Sequence, residues 1–479
     1  APRACRLDRF DGRFGAIPMN DRSCSYRYAL FLNTRMKTVD DSFVSGFYKF
    51  QCCRSGPQNE PNKICLLRAA IVKSMHSFDI IIVGAGASGL IAAGHAAEMG
   101  AKVLLLEHQS KPGRKLAITG KGRCNLTNTA ELPEFIGHFH PQGRFLRDCF
   151  SVFFNKDLIS LMEQIGIETV VERGGRIFPK NGNAPEIVDA LVRWVNKKGV
   201  TLQTSQAVTD LVLGENRVEG VIACSVHRRK NKLFPDPSES QTTACKALII
   251  ATGGLSYPAT GSTGDGYRLA EKCGHHVVPT RPALVPLEVS DKKIKPLAGL
   301  ALKNVELSVW VEGKRKAQAF GEMTFTPTGL SGPVVLTLSH QVVDFHLAKK
   351  PVTLQLDLKP ALDHNKLDER LLRDFKTRHL NSFGTILKGL LPQQLIPYCS
   401  EQLGIPLEKR GNQMTGKERQ ALRIWLKEMP FQVSGYRPFS EAIITAGGIA
   451  LKEIDPRTMV SRLKQNLYFA GEVLDIQAD

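Results

Sequence analysis

No stretch of this 479-residue sequence approaches the roughly 20 uninterrupted apolar residues that span a bilayer. The longest apolar runs, such as Ile80–Val83 and Val103–Leu106, are short enough to read as buried strands. The 11 cysteines include no C-x-x-C pair and no Cys/His spacing of metal-ligand type, so neither a disulfide framework nor a metal site is expected. A secretory signal, an internal repeat and a low-complexity tract are all missing too. These absences point to a soluble globular protein of a reducing cytoplasm, with no membrane and no metal partner. Acid is also scarce. Against 64 Lys+Arg stand 46 Asp+Glu, a net charge of +18. A field of that sign draws polyanions, among them phosphate-bearing cofactors and nucleic acid.

The length implies two or more domains. Residues 1–74 show no sustained period of 2 or 3.6, and they carry +7 of the net charge and five of the cysteines. They read as a disordered or non-native extension ahead of Met75, the expected natural start. From residue 78 the order becomes strand, Gly-rich turn, helix, strand: FDIIIV, GAGASG, LIAAGHAAEMG, AKVLLLE. Helices are expected around 150–165 and 185–198, short alternating strands over 201–224, and a basic turn at His227–Lys232. A buried strand follows at Ala247–Ala251. Short strands with Pro and Gly turns fill about 280–360, residues 362–428 read as helical, and a last strand covers Asn466–Ala470. The expected organisation is an α/β domain, 75–279 and 433–479, interrupted by an insert domain at 280–432 that is β-rich and then helical.

Gly84-x-Gly86-x-x-Gly89, with Ala87 and Ser88 between, follows a strand and opens a helix. Gly84 permits the tight turn, Gly86 lets the backbone approach a pyrophosphate, and Gly89 lets helix and strand pack closely. The helix N-terminus adds N–H groups and a positive dipole end. Glu107, about 20 residues on, ends the next strand and is placed to accept from a ribose diol, which favours FAD or NAD over a 2′-phosphate. Two later segments tip the choice to FAD. Ile249–Gly254, with Thr252 and Gly253, resembles a strand shared by many two-dinucleotide-fold flavoproteins. Leu467–Glu472, with Gly471, resembles the run that holds the ribityl and phosphate part of FAD. Glu472 or Asp475 is the acid for the ribityl hydroxyls, with Asp475 favoured, and Val208 joins the expected cofactor-binding set.

The run from Arg114 and Lys115 through Gly120, Gly122, Arg123, Cys124 and Asn125 to Asn128 places four cations and two glycines just past the ribose-binding strand, as an anion-binding turn would. Its solvated-loop alternative stays open. Cys124 beside Arg123 is a candidate redox-active residue, since a cation lowers a thiol pKa, set against a structural or flavin-packing cysteine. Tyr257 is a second catalytic candidate. The turn Thr260–Gly266 precedes a helix and suits a phosphate of NAD(P)H or of substrate. The basic clusters His227–Lys232, Lys292–Lys295 and Lys314–Lys316 suit RNA phosphates or plain solvation.

Together the GAGASG turn, TGKGRCNLTN, GGRIFP at 174–179, ATGGLSYPATGSTGDGY at 251–267, FTPTGLSGP at 325–333, TAGGIALKEIDPRTM at 445–459 and LYFAGEVLD at 467–475 resemble the BaiN/YhiN-like family of FAD-binding flavoproteins, also labelled aminoacetone-oxidase-like. The resemblance spans 78–475. It implies an α/β fold in which a Rossmann-like FAD-binding domain is interrupted by a β-barrel-like plus helical insert domain. It also implies oxidoreductase chemistry at a flavin, NAD(P)H as a transient electron donor, and reduction of a carbon–carbon double bond, with ribosomal RNA uridine among the substrates of relatives. Family members continue past the GEVLD-like segment into a Gly-rich stretch and a closing helix, whereas this sequence reads Ile476-Gln477-Ala478-Asp479, so 433–479 is expected to be a truncated second part. A flavin oxidase of a small amine or ketone, an RNA-associated flavin-binding protein and an inactive truncated product are the alternatives. Oligomeric state is left open.

Overall fold

The computed structural model describes residues 77–229 and 232–478. The extension 1–74, Met75 and residues 230–231 of the basic turn lie outside the described residues. β1 (Ser77–Val83), α1 (Ala87–Glu98) and β2 (Val103–Leu106) form the first unit. β1 pairs in parallel with β2 on one side and with Gln241–Ile250 on the other. Beyond these, Thr201–Gln203 joins β2 and Leu467–Phe469 joins Gln241–Ile250, again in parallel. Ile80–Val83 and all of β2 are buried because elements cover both faces of the sheet, which is why the strands read as unbroken apolar runs. Helix Ala184–Lys197 packs closely on α1, and a Cβ at Gly94 would lie 2.1 Å from the Trp194 ring.

Between the last two expected helices and the sheet's central strand, the chain makes an antiparallel run, Gln206–Leu213, Val218–Arg229 and Lys232–Pro235, that leads into Gln241–Ile250. The strand thus continues into the basic segment at 227–229.

The chain leaves this domain through Val277–Ala283 and returns through Ile444–Ile449, two strands paired antiparallel. Between them six strands close a barrel: Leu287–Val289, Gly329–Ser331, Lys314–Phe325, Ala301–Val311, Val352–Asp357 and Met429–Tyr436. Helices His364–Thr377, Phe383–Leu387, Leu395–Leu403 and Gly416–Lys427 sit between the fifth and sixth barrel strands in chain order. One element departs from the strand-rich expectation for 280–360. Pro333–Leu347 is a 15-residue helix whose Val334, Val335, Leu338, Val342 and Val343 are buried. Its β-branched residues favour strand, but their three-and-four spacing puts one stripe against the barrel, and tertiary burial overrides propensity. Among the described residues, no helix is long and apolar enough to cross a membrane.

Candidate functional site

The C-terminal ends of four parallel strands meet at one edge of the sheet, and each is followed by a segment singled out above. Ligands of open α/β sheets bind outside such strand ends. At the first end, Gly84 has φ +101° and its N–H donates to Leu106 O at 2.8 Å. A Cβ on Gly84 would lie 2.6 Å from Ala251 O, and one on Gly89 would lie 1.8 Å from Gly84 O. Both glycines are therefore required by the protein's own packing. Gly86 differs. A Cβ there would meet nothing within 4 Å, so the protein's own packing does not require this glycine and the space beside it is open. The space lies at the N-terminus of α1, where Ala87 and Ser88 begin the helix. A pyrophosphate fits such a cradle.

At the second strand end, both Glu107 oxygens accept backbone N–H groups at 2.8 Å, Oε2 from Ala85 and Oε1 from Gln109. These bonds fix the carboxylate and leave further lone pairs for a ribose diol. Gln109 is buried and accepts from Arg114. His108 Nδ1 lies 3.4 Å from Asp265 Oδ2. Burial by itself lowers the His108 pKa, but the hydrogen bond to Asp265 and the Glu107 and Asp265 charges overcome it, so the net shift is upward. The Thr260–Gly266 turn belongs here as well, since a Cβ on Gly261 would touch Gln109 and His108 at 3.1 and 3.2 Å. Val208 is buried two residues beyond Gln206, whose N–H donates to Glu107 O at 2.9 Å.

The third and fourth ends are tied through Glu472. Its Oε2 accepts from Lys115 Nζ at 2.7 Å, and its Oε1 accepts from Ser256 Oγ and Thr445 N, each at 2.8 Å. Lys115 Nζ also donates to Ser256 Oγ at 2.5 Å, and Thr445 Oγ1 accepts from Leu255 N and Ser256 N at 2.7 and 3.0 Å. Gly254 has no room for a side chain, since its Cβ would sit 2.3 Å from Thr445 Oγ1. Gly471, at φ +81°, faces Ser88 so closely that its Cβ would lie 2.6 Å from Ser88 Oγ. Thr252 and Gly253 continue the third strand, and Gly266 packs against Thr252 Oγ1. Asp475 is half-buried, and burial raises its carboxyl pKa against the lowering effects of Arg281 and the Gly447 backbone.

The Arg114–Asn128 loop has an unusual backbone, with Gly120, Lys121, Gly122 and Cys124 all at positive φ. Lys121 and Cys124 are non-glycine residues held in a sparsely populated conformation. The Arg123 guanidinium lies 4.4 Å over the Phe178 ring and pairs with Glu172. Asn125, with its amide oriented to suit its neighbours, donates to Ile177 O and Thr127 O at 3.2 and 3.1 Å. Cys124 is buried, and burial pushes its thiol up despite a hydrogen bond with Thr119. Tyr257, beside Ser256, is half-buried at φ +49°.

The structure therefore brings Gly84–Gly89, Glu107, Lys115, Thr252, Gly253, Gly471 and Glu472 to one edge, whereas Arg123 and Asn125 engage the Arg176–Pro179 strand. Ser256 and Thr445 were missed, although both are hydroxyls two residues from a glycine inside quoted motifs. His108 and Gln109 carried no signal. Elsewhere, His227, Asp236 and Glu239 bring potential metal-ligand atoms within 4.8 Å of one another, but Asp236 Oδ1 is already taken by Ser238.

A family profile described as the HI0933-like protein Rossmann domain matches residues 78–479. The chain is 32% identical over 409 residues to a protein of Escherichia coli K12 named ribosomal RNA dihydrouridine synthase, covering 84% of this chain and 93% of that one. It is 30% identical over 401 residues to the Haemophilus influenzae protein of the same name, covering 83% and 92%. It is 27% identical over 398 residues to the 3-dehydro-bile acid delta(4,6)-reductase of Clostridium scindens, covering 83% and 92%. The Gly86 cradle, the fixed Glu107 carboxylate and a profile match that begins in β1 lead to one assignment: this chain belongs to the HI0933-like Rossmann-domain family of flavin-dependent oxidoreductases.

Proposed function

We propose that the chain is an NAD(P)H-driven, FAD-dependent reductase of a carbon–carbon double bond conjugated to a carbonyl, and that its acceptor is a uridine of ribosomal RNA. The observation that carries this reading is the match along 93% of a relative named for dihydrouridine synthesis. A second relative, named for a delta(4,6) reduction, supports the same bond type on a different scaffold. Reducing such a bond with a hydride donor adds the hydride at one carbon and needs a proton from a second group.

Bound FAD would supply two-electron transfer as hydride. The remaining work falls to this chain's residues. The α1 N-terminus and the Gly86 gap would seat the pyrophosphate, and Glu107 would take the adenosine ribose hydroxyls. Asp475 is the freer acid for ribityl hydroxyls, because three donors already bind Glu472. Glu472 would then hold Lys115 and the Ser256 turn in register with the Gly471 loop. Of the two catalytic candidates, Cys124 has a raised pKa and stays protonated at neutral pH, so it suits proton donation or packing and does not suit thiolate chemistry. Tyr257 is the other proton-donor candidate.

The test uses the FAD-loaded protein, anaerobic NADH or NADPH, and ribosomal RNA lacking dihydrouridine. A mass gain of two hydrogens on one uridine is the expected result. Reduction of a small enone with every uridine unchanged removes the RNA assignment. A flavin spectrum unaffected by either nicotinamide removes NAD(P)H as donor.

A further inference from the structure

The barrel turns an unusual face outward. In Lys314–Phe325 the alternate residues Ala317, Ala319, Met323 and Phe325 pack toward the barrel core, so Lys316, Gln318 and Phe320 point away from it. Phe320 is 62% exposed, a large aromatic without a covering element. In the neighbouring Ala301–Val311 strand, Val305, Leu307, Val309 and Val311 are buried, which sends Glu306, Ser308 and Trp310 to the same outer face. Register places Phe320 opposite Glu306, Gln318 opposite Ser308 and Arg315 opposite Trp310. Across the next pairing Trp310 faces Thr353 and Ser308 faces Gln355.

Chemistry along this face is graded. At the hairpin end, Lys314, Arg315 and Lys316 are exposed and make no ion pair among the described residues. In the middle lie the exposed Gln318 amide and the half-buried Gln355 and Thr353, while Ser308 is buried and accepts from Trp310 Nε1 at 2.9 Å. At the far end stands Phe320, flanked by the carboxylates of Glu306 and Glu322. Unpaired cations attract phosphates. Amides and hydroxyls read base edges, carboxylates accept from base N–H groups such as uracil N3–H, and aromatic faces stack on unpaired bases.

Resting on the uridine reading above, we propose that this outer barrel face, from the Lys314–Lys316 turn to Phe320, docks single-stranded RNA. The strand lies with its phosphates at the cationic turn and an unstacked base on Phe320. Because the barrel joins the flavin domain through Val277–Ala283 and Ile444–Ile449, and Thr445 of the second connection binds Glu472, the docking face and the site belong to one continuous framework.

The experiment measures binding of the full FAD-loaded chain to a fluorescent single-stranded oligouridine and to a duplex of equal length, over a series of salt concentrations. Two variants are compared, Phe320→Ala and the triple Lys314→Glu/Arg315→Glu/Lys316→Glu. Each substitutes exposed residues, and thermal midpoint, flavin content and small-enone reduction serve as controls expected to hold. Phe320→Ala is expected to weaken single-strand binding about tenfold. The triple variant is expected to weaken it further and to reduce the salt slope by roughly 2. Single-strand affinity within twofold of the parent in both variants overturns the proposal, as does a parent that prefers the duplex. If the parent reduces no uridine yet the variants lose binding, the face stands and the substrate reading falls. If uridine is reduced and the variants bind unchanged, the face falls alone.

Discussion

Lys115 Nζ donates a 2.7 Å hydrogen bond to Glu472 Oε2, joining residues 357 apart in sequence at the edge of the parallel sheet. Each side chain is about a quarter exposed, 25% and 24%, so the pair is partly shielded from water. Lys115→Ala should destabilise the fold by roughly 1–3 kcal/mol, because it leaves a partly buried carboxylate short of its charged donor. Flavin occupancy, read from the ratio of visible to ultraviolet absorbance, should fall with it. A double-mutant cycle with Glu472→Gln checks the coupling, and additive effects would show that the contact carries no energy.

Two of the motif glycines, Gly86 and Gly89, should fail differently. Gly86 has φ −78°, which any residue adopts, and its Cβ direction is open. Gly86→Val should leave the apoprotein's thermal midpoint nearly unchanged and abolish FAD retention. Gly89→Ala should destabilise the apoprotein itself, on the order of 3 kcal/mol, since its methyl would sit 1.8 Å from Gly84 O. Circular dichroism melts together with chromatography of the heat-released cofactor separate the two. Recovery of FMN alone from the parent would contradict the FAD assignment.

His108 and Asp265 predict a pH signature. The folded pKa of His108 is raised, so its contribution is full below the ordinary histidine value and is lost as pH rises through the folded value. The Asp265 pKa is lowered, chiefly by its hydrogen bond with His108 and against burial, so its contribution is lost as pH falls through the depressed value. Stabilisation is therefore greatest between the ordinary carboxylate range and the ordinary histidine value, and it declines above that as pH rises through the raised His108 value. His108→Gln should lower the thermal midpoint more at pH 6 than at pH 9.5. An equal loss at both would show that the pair does not titrate as placed.

Cysteine chemistry gives a fourth test. Burial pushes Cys124 up, Cys245 and Cys399 up to about 12 each, and Cys273 up to about 11. Peptide mapping after brief alkylation of the native protein at pH 8 should find these four unmodified. Fast labelling of Cys124 would restore it as a reactive thiolate.

Local periodicity made much of this protein legible. The apolar runs of β1 and β2, the glycines between strand and helix, and the terminal Glu107 follow from steric and hydrogen-bonding rules that act within about 30 residues. The helix Pro333–Leu347 shows where such reading stops, because a Val-rich segment becomes helical only when a barrel is present to bury its stripe.

The sequence by itself determined the dinucleotide turn, its acid and the order of the later motifs, since each depends on backbone geometry that neighbouring residues impose. Only the tertiary structure decided how the residues share the work. It bound Glu472 to Lys115, Ser256 and Thr445, and placed His108 against Asp265. It also buried Cys124, where loss of solvent outweighs the hydrogen bond with Thr119. Those contacts form between chain segments tens to hundreds of residues apart, and what fixes them is the parallel pairing of strands, which no local pattern encodes.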